Sequence, residues 1–597
     1  MKARGAVLSL SLLRSFPIVL SLLRSSTLSL ALIVAVAAIC RVVPWLANYP
    51  LHRDEALYGY WARLIASGGD PLLLGPWIDK PPLAIYLLAG SLRAFGVSEL
   101  ALRLPGMIAS LAALFLVYRI AHRLYGSRAA LIAAGLWALS PFAILFAPTA
   151  FTDPWLTLWL AAGAGAALAG RPFWAGAAVG LAVASKQQGV LAAALVIGLL
   201  LAPNDRQPGA KPPCGTDGED AVSRSWFVAR RWLAAILGFA LVFGPLTWWD
   251  SLRWHNRPSF WDRSLTTYGG LGLAQPWQWP QRAADWAVQL GFLFGAPILT
   301  AAVCGLAGWA ANREARERRQ IGPGPLLALY ICAYLALHLF GTFQPWDRYL
   351  LPLLPLICIL AGRGVEVVWG AVVHPPQAPG AWGAIFRTVA HVGRGGSAKP
   401  PCGTADENVR SNDFSRSAQA TATKVATTNP PIFGTAILAT ALALALTYAA
   451  WLGVGGRLPV GSAYAAYGGV DRLMATLRSR PADAVIYHHS LGWHLDYYLF
   501  DAPQERRWWD AGPKLAADAA RTAQAEPSRS QWLALTIQQQ ADVSTLQADL
   551  AAEGLLLADA KLFRRPDGDL SFVLYRILPL SGQDERSAVE SCPCAQP

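Results

Sequence analysis

The chain has 597 residues, 54% of them hydrophobic and only 15% charged, with a net charge of +13. Soluble proteins carry about a quarter charged residues, so this composition excludes a disordered chain and argues against a water-soluble enzyme. The 25 tryptophans suit aromatic belts at membrane–water interfaces, and the basic residues cluster between apolar runs, the pattern of cytoplasmic loops rather than of a nucleic-acid-binding patch.

A crossing of the hydrocarbon core takes about 20 apolar residues. Spans are predicted near 27–47, 100–118, 129–147, 154–170, 232–249, 289–310, 324–343, 349–370 and 431–454. Lys2, Arg4, Arg14 and Arg24 precede the first span with no clean cleavage site, so the N-terminus reads as a cytoplasmic tail. Residues 174–201 are apolar but interrupted by Ser185-Lys186-Gln187-Gln188-Gly189. Each half is too short to cross a core about 30 Å thick at about 1.5 Å per residue, so a hairpin of two half-helices is predicted. With it, about 11 membrane segments place basic residues on every inner loop: 119–128, 171–173, 204–231, 311–323 and 371–430. The fold class read here is mostly α, a polytopic transmembrane bundle.

The two longest inner loops, 204–231 and 371–430, read as flexible cytoplasmic insertions. They share a repeat, Ala210-Lys211-Pro212-Pro213-Cys214-Gly215-Thr216 and Ala398-Lys399-Pro400-Pro401-Cys402-Gly403-Thr404. One Cys per copy, without a partner at ligand spacing, makes metal binding improbable, and the eight cysteines form no disulfide framework. The membrane domain spans 1–455. Residues 470–580 then alternate charged and apolar stretches. Segments 484–487 and 571–575 read as strands, and 512–525 and 541–554 as helices. This is a small α/β domain, placed outside by the topology count, with a tail at 581–597.

The polar residues that composition leaves unexplained fall on the predicted outer face. Asp54-Glu55 follow the first span, and 55–66 carries an apolar stripe of Leu57, Trp61 and Leu64 expected to lie in the interface. Asp79-Lys80, Asp153 at a span start, Lys186 at the hairpin tip, His255, Arg257 and Arg263 in an outer loop, and Asp347-Arg348 complete the set. Ionisable groups at membrane depth are costly and so are functional candidates. Simpler readings stand beside them: Asp153 as a helix cap, Asp347–Arg348 as a structural ion pair, Lys186 snorkelling to headgroups. The chemistry suggested is group transfer from a lipid phosphate. A carboxylate takes a hydroxyl proton, and Lys or Arg holds the phosphate and stabilises the charge of its departure. An outer-face site has no access to cytoplasmic nucleotide sugars, and no nucleotide-binding glycine loop is evident; a lipid-linked donor answers both points. The sequence fixes no cofactor. The outer carboxylates and His255 leave room for a divalent metal, with no ligand spacing to fix one.

Asp54-Glu55-Ala56-Leu57-Tyr58, Asp79-Lys80-Pro81-Pro82-Leu83, Phe95-Gly96-Val97-Ser98-Glu99, Arg103-Leu104-Pro105, Thr152-Asp153-Pro154, Ser185-Lys186 and Arg348-Tyr349-Leu350-Leu351-Pro352 follow one another in a familiar order. Over roughly 27–370 the chain resembles the GT-C glycosyltransferases, in the bacterial branch related to protein O-mannosyltransferases and lipid A aminoarabinose transferases. The resemblance implies a GT-C bundle with interfacial helices, a polyprenyl-phosphate sugar donor and inversion at the anomeric carbon. It implies catalytic roles for Asp54, the base or acceptor-binding carboxylate by motif, with Glu55 beside it and Asp153 as a second carboxylate. Lys80 becomes a donor-phosphate ligand. Asp79, Tyr58, Lys186 and Arg348 join the substrate-binding set, with Arg257 or Arg263 as an alternative phosphate clamp. Leu57 stands where aminoarabinose transferases have Arg, Asp79 where they have Glu, and Lys186 is followed by Gln-Gln-Gly rather than Gly-Pro. These departures favour an acceptor other than lipid A.

The function expected is an integral-membrane, inverting glycosyltransferase of the plasma membrane, acting on a protein, lipid or polysaccharide acceptor at the outer face, with membrane lipids as its other partners and no nucleic acid. The alternative is a transporter or flippase of lipid-linked sugars. Against it, no repeat of the spans is seen and the polar groups gather on one side. A membrane scaffold whose outer domain binds polysaccharide would not need the intramembrane acids.

Overall fold

The computed structural model describes residues 26–202, 219–267, 272–292, 322–373, 432–458 and 467–580. The N-terminal 25 residues, both copies of the Pro-Pro-Cys repeat, the predicted span 289–310 from 293 onward, and the tail from 581 lie outside the described residues. The chain divides into two compact units, residues 1–365 with 445–597, and 366–444.

The helices run α1 Ser26–Ala47, α2 Arg53–Ser67, α3 Leu83–Phe95, α4 Glu99–Tyr125, α5 Ser127–Leu139, α6 Pro141–Phe146, α7 Asp153–Leu168, α8 Pro172–Ser185 and α9 Leu191–Leu201. After them come α10 Glu219–Arg253, α11 Phe260–Thr267, α12 Trp279–Phe292, α13 Pro323–Phe340, α14 Leu354–Val373 and α15 Ile432–Val454. Among the described residues, five stretches are long and apolar enough to cross a membrane: Ser26–Ala47, Glu99–Tyr125, Val228–Arg253, Pro323–Phe340 and Asp347–Glu366. The protein is a multi-pass membrane protein.

Close helix contacts rest on small residues, as packing in hydrocarbon requires. A Cβ at Gly176 of α8 would lie 1.8 Å from the Ala235 carbonyl oxygen of α10, and one at Gly238 of α10 would lie 2.0 Å from that of Phe173. The one buried cation of α1, Arg41, is satisfied internally: its guanidinium reaches Ser110 Oγ at 3.0 Å and the carbonyls of Ala37, Trp137 and Ala138 at 3.1 Å. It thereby ties α1 to α4 and α5. The predicted break in 174–201 is present. α8 ends at Ser185, Lys186 is extended, a 3-10 turn covers Gln187–Val190, and α9 begins at Leu191. Gly189 packs so tightly on the turn before that a Cβ would meet the Ala182 carbonyl carbon at 2.2 Å.

The C-terminal part contains α16 Val470–Arg478, β1 Val485–His488, α17 Gly492–Tyr498, β2 Glu505–Trp508, α18 Gly512–Ala525, β3 Gln531–Thr536, α19 Ile537–Gln540, α20 Val543–Ala552, β4 Leu555–Arg564 and β5 Leu570–Pro579. One five-stranded sheet runs in the order β2-β1-β3-β5-β4, the first three strands parallel and the rest antiparallel. Both faces are covered. Ile486 and Trp532 pack with Leu473 and Leu495 on one side, and Val485, Tyr487 and Leu533 with Leu515 and Leu550 on the other.

This sheet domain is fixed to α2. His494 Nε2 donates to the Leu51 carbonyl at 3.0 Å, and Arg63 donates to the Tyr497 carbonyl at 2.6 Å and pairs with Asp501. Tyr498 donates to Glu99. Gly59 makes room for the contact, since a Cβ there would lie 2.7 Å from the Tyr497 ring. The expected apolar stripe of this helix therefore does not face lipid as a whole: Trp61 is 1% exposed, packed within the protein, because α2 is clasped by α3 and α17.

Candidate active site

The site starts at the N-terminus of α2. His52 is its N-cap, accepting from the Asp54 amide through Nδ1 at 3.1 Å, while Glu55 Oε2 accepts from the His52 amide at 3.0 Å. That capping box settles two orphan amides. It also sends the adjacent carboxylates opposite ways. Glu55 points inward and is fully buried. Arg103 of α4 grips it at 3.0 and 2.8 Å, and the Ala150 amide donates to it at 2.9 Å. Both oxygens are engaged by protein donors, so Glu55 joins α2 to α4 and to the turn before α7.

Asp54 points the other way, half-open to solvent, and accepts from Arg348 Nη1 at 2.6 Å. Burial pushes its carboxyl up, but Arg348 first, then His52 and Lys80, more than offset this and hold it below the ordinary 3.8. Arg348 belongs to a 3-10 turn, Asp347–Leu353, packed on α7. Asp347 accepts from the Arg348 backbone amide at 2.6 Å, while the guanidinium lies over Trp346 at 4.5 Å and Phe151 at 5.3 Å. The side-chain partner of Arg348 is thus Asp54.

Asp153 and Lys186 form a second pair at 2.5 Å, 2% and 5% exposed respectively. Asp153 leaves the cap of α7 unmade and turns to the lysine at the α8 break. Lys186 lies over the Tyr349 ring at 4.6 Å and within electrostatic reach of Arg348 and Lys80. It does not snorkel. Lys80 pairs with Asp79 at 2.6 Å, and the Gln187 amide donates to the Asp79 carbonyl, tying the 79–80 segment to the same break. Tyr58 is buried beside Trp61 and within electrostatic reach of Arg348. Asp54, Asp79, Lys80, Asp153, Lys186 and Arg348, scattered over 295 positions, therefore form three ion pairs that lie within electrostatic reach of one another.

Arg257 and Arg263 stand apart. Arg257 donates to the Gly75 carbonyl at 2.6 Å, and both guanidinia stack on Trp77 at 5.2 and 5.0 Å. Neither contacts the cluster among the described residues; they brace the loop that carries Lys80. His255 is exposed, and among the described residues no three His, Cys, Asp or Glu side chains gather to hold a metal. Arg103, Gln187 and Tyr349 are the participants that sequence reasoning did not single out. Arg103 had a signal, since an arginine within an apolar span needs a buried partner; Gln187 and Tyr349 merely adjoin residues that were singled out.

The chain superposes on the crystal structure of ArnT from Cupriavidus metallidurans in the apo state with a TM-score of 0.55 at 16% identity, over 92% of this chain and 97% of that one. The two chains share a fold. ArnT bound to undecaprenyl phosphate gives the same coverage and identity with a TM-score of 0.53. The apo oligosaccharyltransferase of Archaeoglobus fulgidus gives 0.50 at 12% identity, over 92% of this chain and 74% of that one. Within this fold, residues 79–212 match the family described as dolichyl-phosphate-mannose-protein mannosyltransferase. That stretch holds Asp79, Lys80, Arg103, Asp153 and Lys186, but neither Asp54 nor Arg348. No curated protein sequence matches the chain at a significant level.

Proposed function

We propose that the protein is an inverting glycosyltransferase that moves a hexosyl or pentosyl unit from a polyprenyl phosphate to an acceptor hydroxyl on the extracytoplasmic face of the plasma membrane, with its N-terminus cytoplasmic and the 470–580 domain outside. One observation carries the reading: the ion pairs Asp54–Arg348 and Asp153–Lys186 lie within electrostatic reach of each other and of Lys80, which puts carboxylates and cations from distant parts of the chain into one network. A base for the acceptor hydroxyl and cations for the departing phosphate are what transfer of a phosphate-linked sugar can use. The ArnT structure with undecaprenyl phosphate supports the donor class.

In this reading the cations receive the donor phosphate. Arg348 is shared between that phosphate and Asp54, so donor binding draws the guanidinium partly away and leaves the carboxylate a better base. The acceptor oxygen attacks the anomeric carbon, its proton passes to Asp54, and the bond from carbon to the phosphate oxygen breaks. Polyprenyl phosphate departs with the bonding pair, its charge held by Lys80, Lys186 and Arg348. Asp153 holds Lys186 in place, and Glu55 positions α2 through Arg103. Asp79 and Tyr58 orient Lys80 and Arg348. Arg257 and Arg263 serve the donor indirectly, through the Trp77 loop.

The test is an assay of membranes containing the protein with a radiolabelled polyprenyl-phosphate sugar. Transfer of label to an envelope acceptor, lost in Asp54→Asn at equal protein level, is expected. Movement of the labelled lipid across the bilayer without transfer would favour a flippase, and neither would refute both.

A further inference from the structure

The first turn of α2 serves two places. Asp54 enters the ion-pair cluster, while Arg53, one residue before it, lines a separate cavity of about 250 Å³ together with His488, His489, Trp493, Asp496 and Trp508. The cavity lies at the carboxyl ends of two parallel strands. His488 ends β1, Trp508 ends β2, and the two are partners in the register.

The lining has the chemistry of a sugar site. Trp508 is 62% exposed, yet it is held in place: its indole N–H donates to the His489 carbonyl at 3.1 Å, and the His489 ring stacks on it at 5.8 Å with 20° between planes. A fixed, exposed indole face takes the apolar face of a pyranose ring, and Ser490, Asp496 and Arg53 supply hydroxyl partners around it. No aliphatic side chain lines the cavity, so an acyl or isoprenoid chain does not suit it.

One atom points to a ligand independently. His488 is 7% exposed, lines the cavity, and its Nδ1 has no hydrogen-bond partner. A buried polar nitrogen left unmatched is unfavourable, and a ligand hydroxyl drawn in beside it would satisfy it. Burial, with Arg506 and His489, lowers the imidazole to about 4, so it is neutral and can exchange a hydrogen bond with a hydroxyl. The space beside it is kept by Gly492, where a Cβ would lie 3.1 Å from His488 Cε1 and 3.7 Å from Nδ1.

We infer that this cavity binds a pyranose ring of a carbohydrate acceptor, one residue step along α2 from the transfer site. The word acceptor rests on the function proposed above; the binding itself does not. The experiment is calorimetric titration of the full-length protein in detergent, without donor, using maltotriose, mannotriose, chitotriose and, as a separate arm, a Ser/Thr-rich peptide. At least one trisaccharide is expected to bind. Trp508→Ala, which removes an exposed ring, and Gly492→Ala, which fills the space beside His488, are each expected to weaken it about tenfold or more while the melting temperature holds. Failure of every trisaccharide to bind, binding unchanged in both variants, or binding of the peptide alone would overturn the inference. Trisaccharide binding by a protein that transfers no sugar would uphold it and sink the transferase reading instead.

Discussion

Arg348 reaches back 294 positions along the chain to donate to Asp54 at 2.6 Å. The aspartate lies at the start of α2, and the arginine opens a 3-10 turn after the loop that follows α13. This contact joins the N-terminal motif of the sequence to the far end of the bundle, and it sets the charge state of the proposed base.

Asp54→Asn keeps the shape but removes the proton acceptor. A positioned general base contributes about 10²–10⁴-fold, so kcat for sugar transfer should fall by that order while donor binding, read by retention of labelled lipid, stays measurable. Full activity in the variant would remove Asp54 from the chemistry.

The acid limb of kcat/KM should report the same residue. In the free enzyme the Asp54 carboxyl lies below 3.8, since Arg348, His52 and Lys80 together outweigh burial. A carboxyl depressed in the folded state contributes stability that is complete above its unfolded value and lost as pH falls through the folded value. The acid limb of activity should therefore lie below the ordinary carboxylate range, the stability contribution should fade as pH drops from the unfolded value through the folded one, and Arg348→Ala should move the limb upward. A wild-type limb at pH 6 or above would contradict the assignment.

Asp153 and Lys186 are both nearly buried and 2.5 Å apart. Removing one partner of such a pair strands a charge and costs about 3–5 kcal/mol, more than replacing both costs. Lys186→Met should lower the melting temperature in detergent more than the double change Asp153→Leu with Lys186→Met, while both abolish transfer. Equal thermal effects of the single and double changes would show that the pair is not coupled.

Glu55 and Arg103 differ in kind. Glu55→Gln leaves the Arg103 guanidinium half-matched at a fully buried site, again a loss of about 3–5 kcal/mol. Folded yield and melting temperature should fall, but whatever protein folds should keep the wild-type pH profile. A shifted acid limb would mean that Glu55 takes part in proton transfer.

Much of the fold was legible beforehand because hydrocarbon imposes a length and a polarity on every crossing. The limits of α1, α7, α13 and α15 match the expected spans within a few residues, and the break at Lys186 follows from two halves too short to cross. β1, β5 and α18 were readable by period. β2, β3 and β4 were not: Glu505-Arg506-Arg507-Trp508 carries no apolar alternation, and β3, buried on both faces, reads as a continuous run that periodicity cannot tell from a helix.

By itself, the sequence determined which residues were candidates, since a charge in or beside an apolar span is costly and asks for a partner or a role. It named Asp54, Asp79, Lys80, Asp153, Lys186 and Arg348. Only the tertiary structure decided their pairing. Two adjacent acids on one helix turn look equivalent in a string of letters, yet a helix sends consecutive side chains about 100° apart. Glu55 therefore meets the buried Arg103, while Asp54 faces Arg348. The same geometry left Arg257 and Arg263 on Trp77, because contacts between distant segments depend on how helices pack and not on which residues are basic.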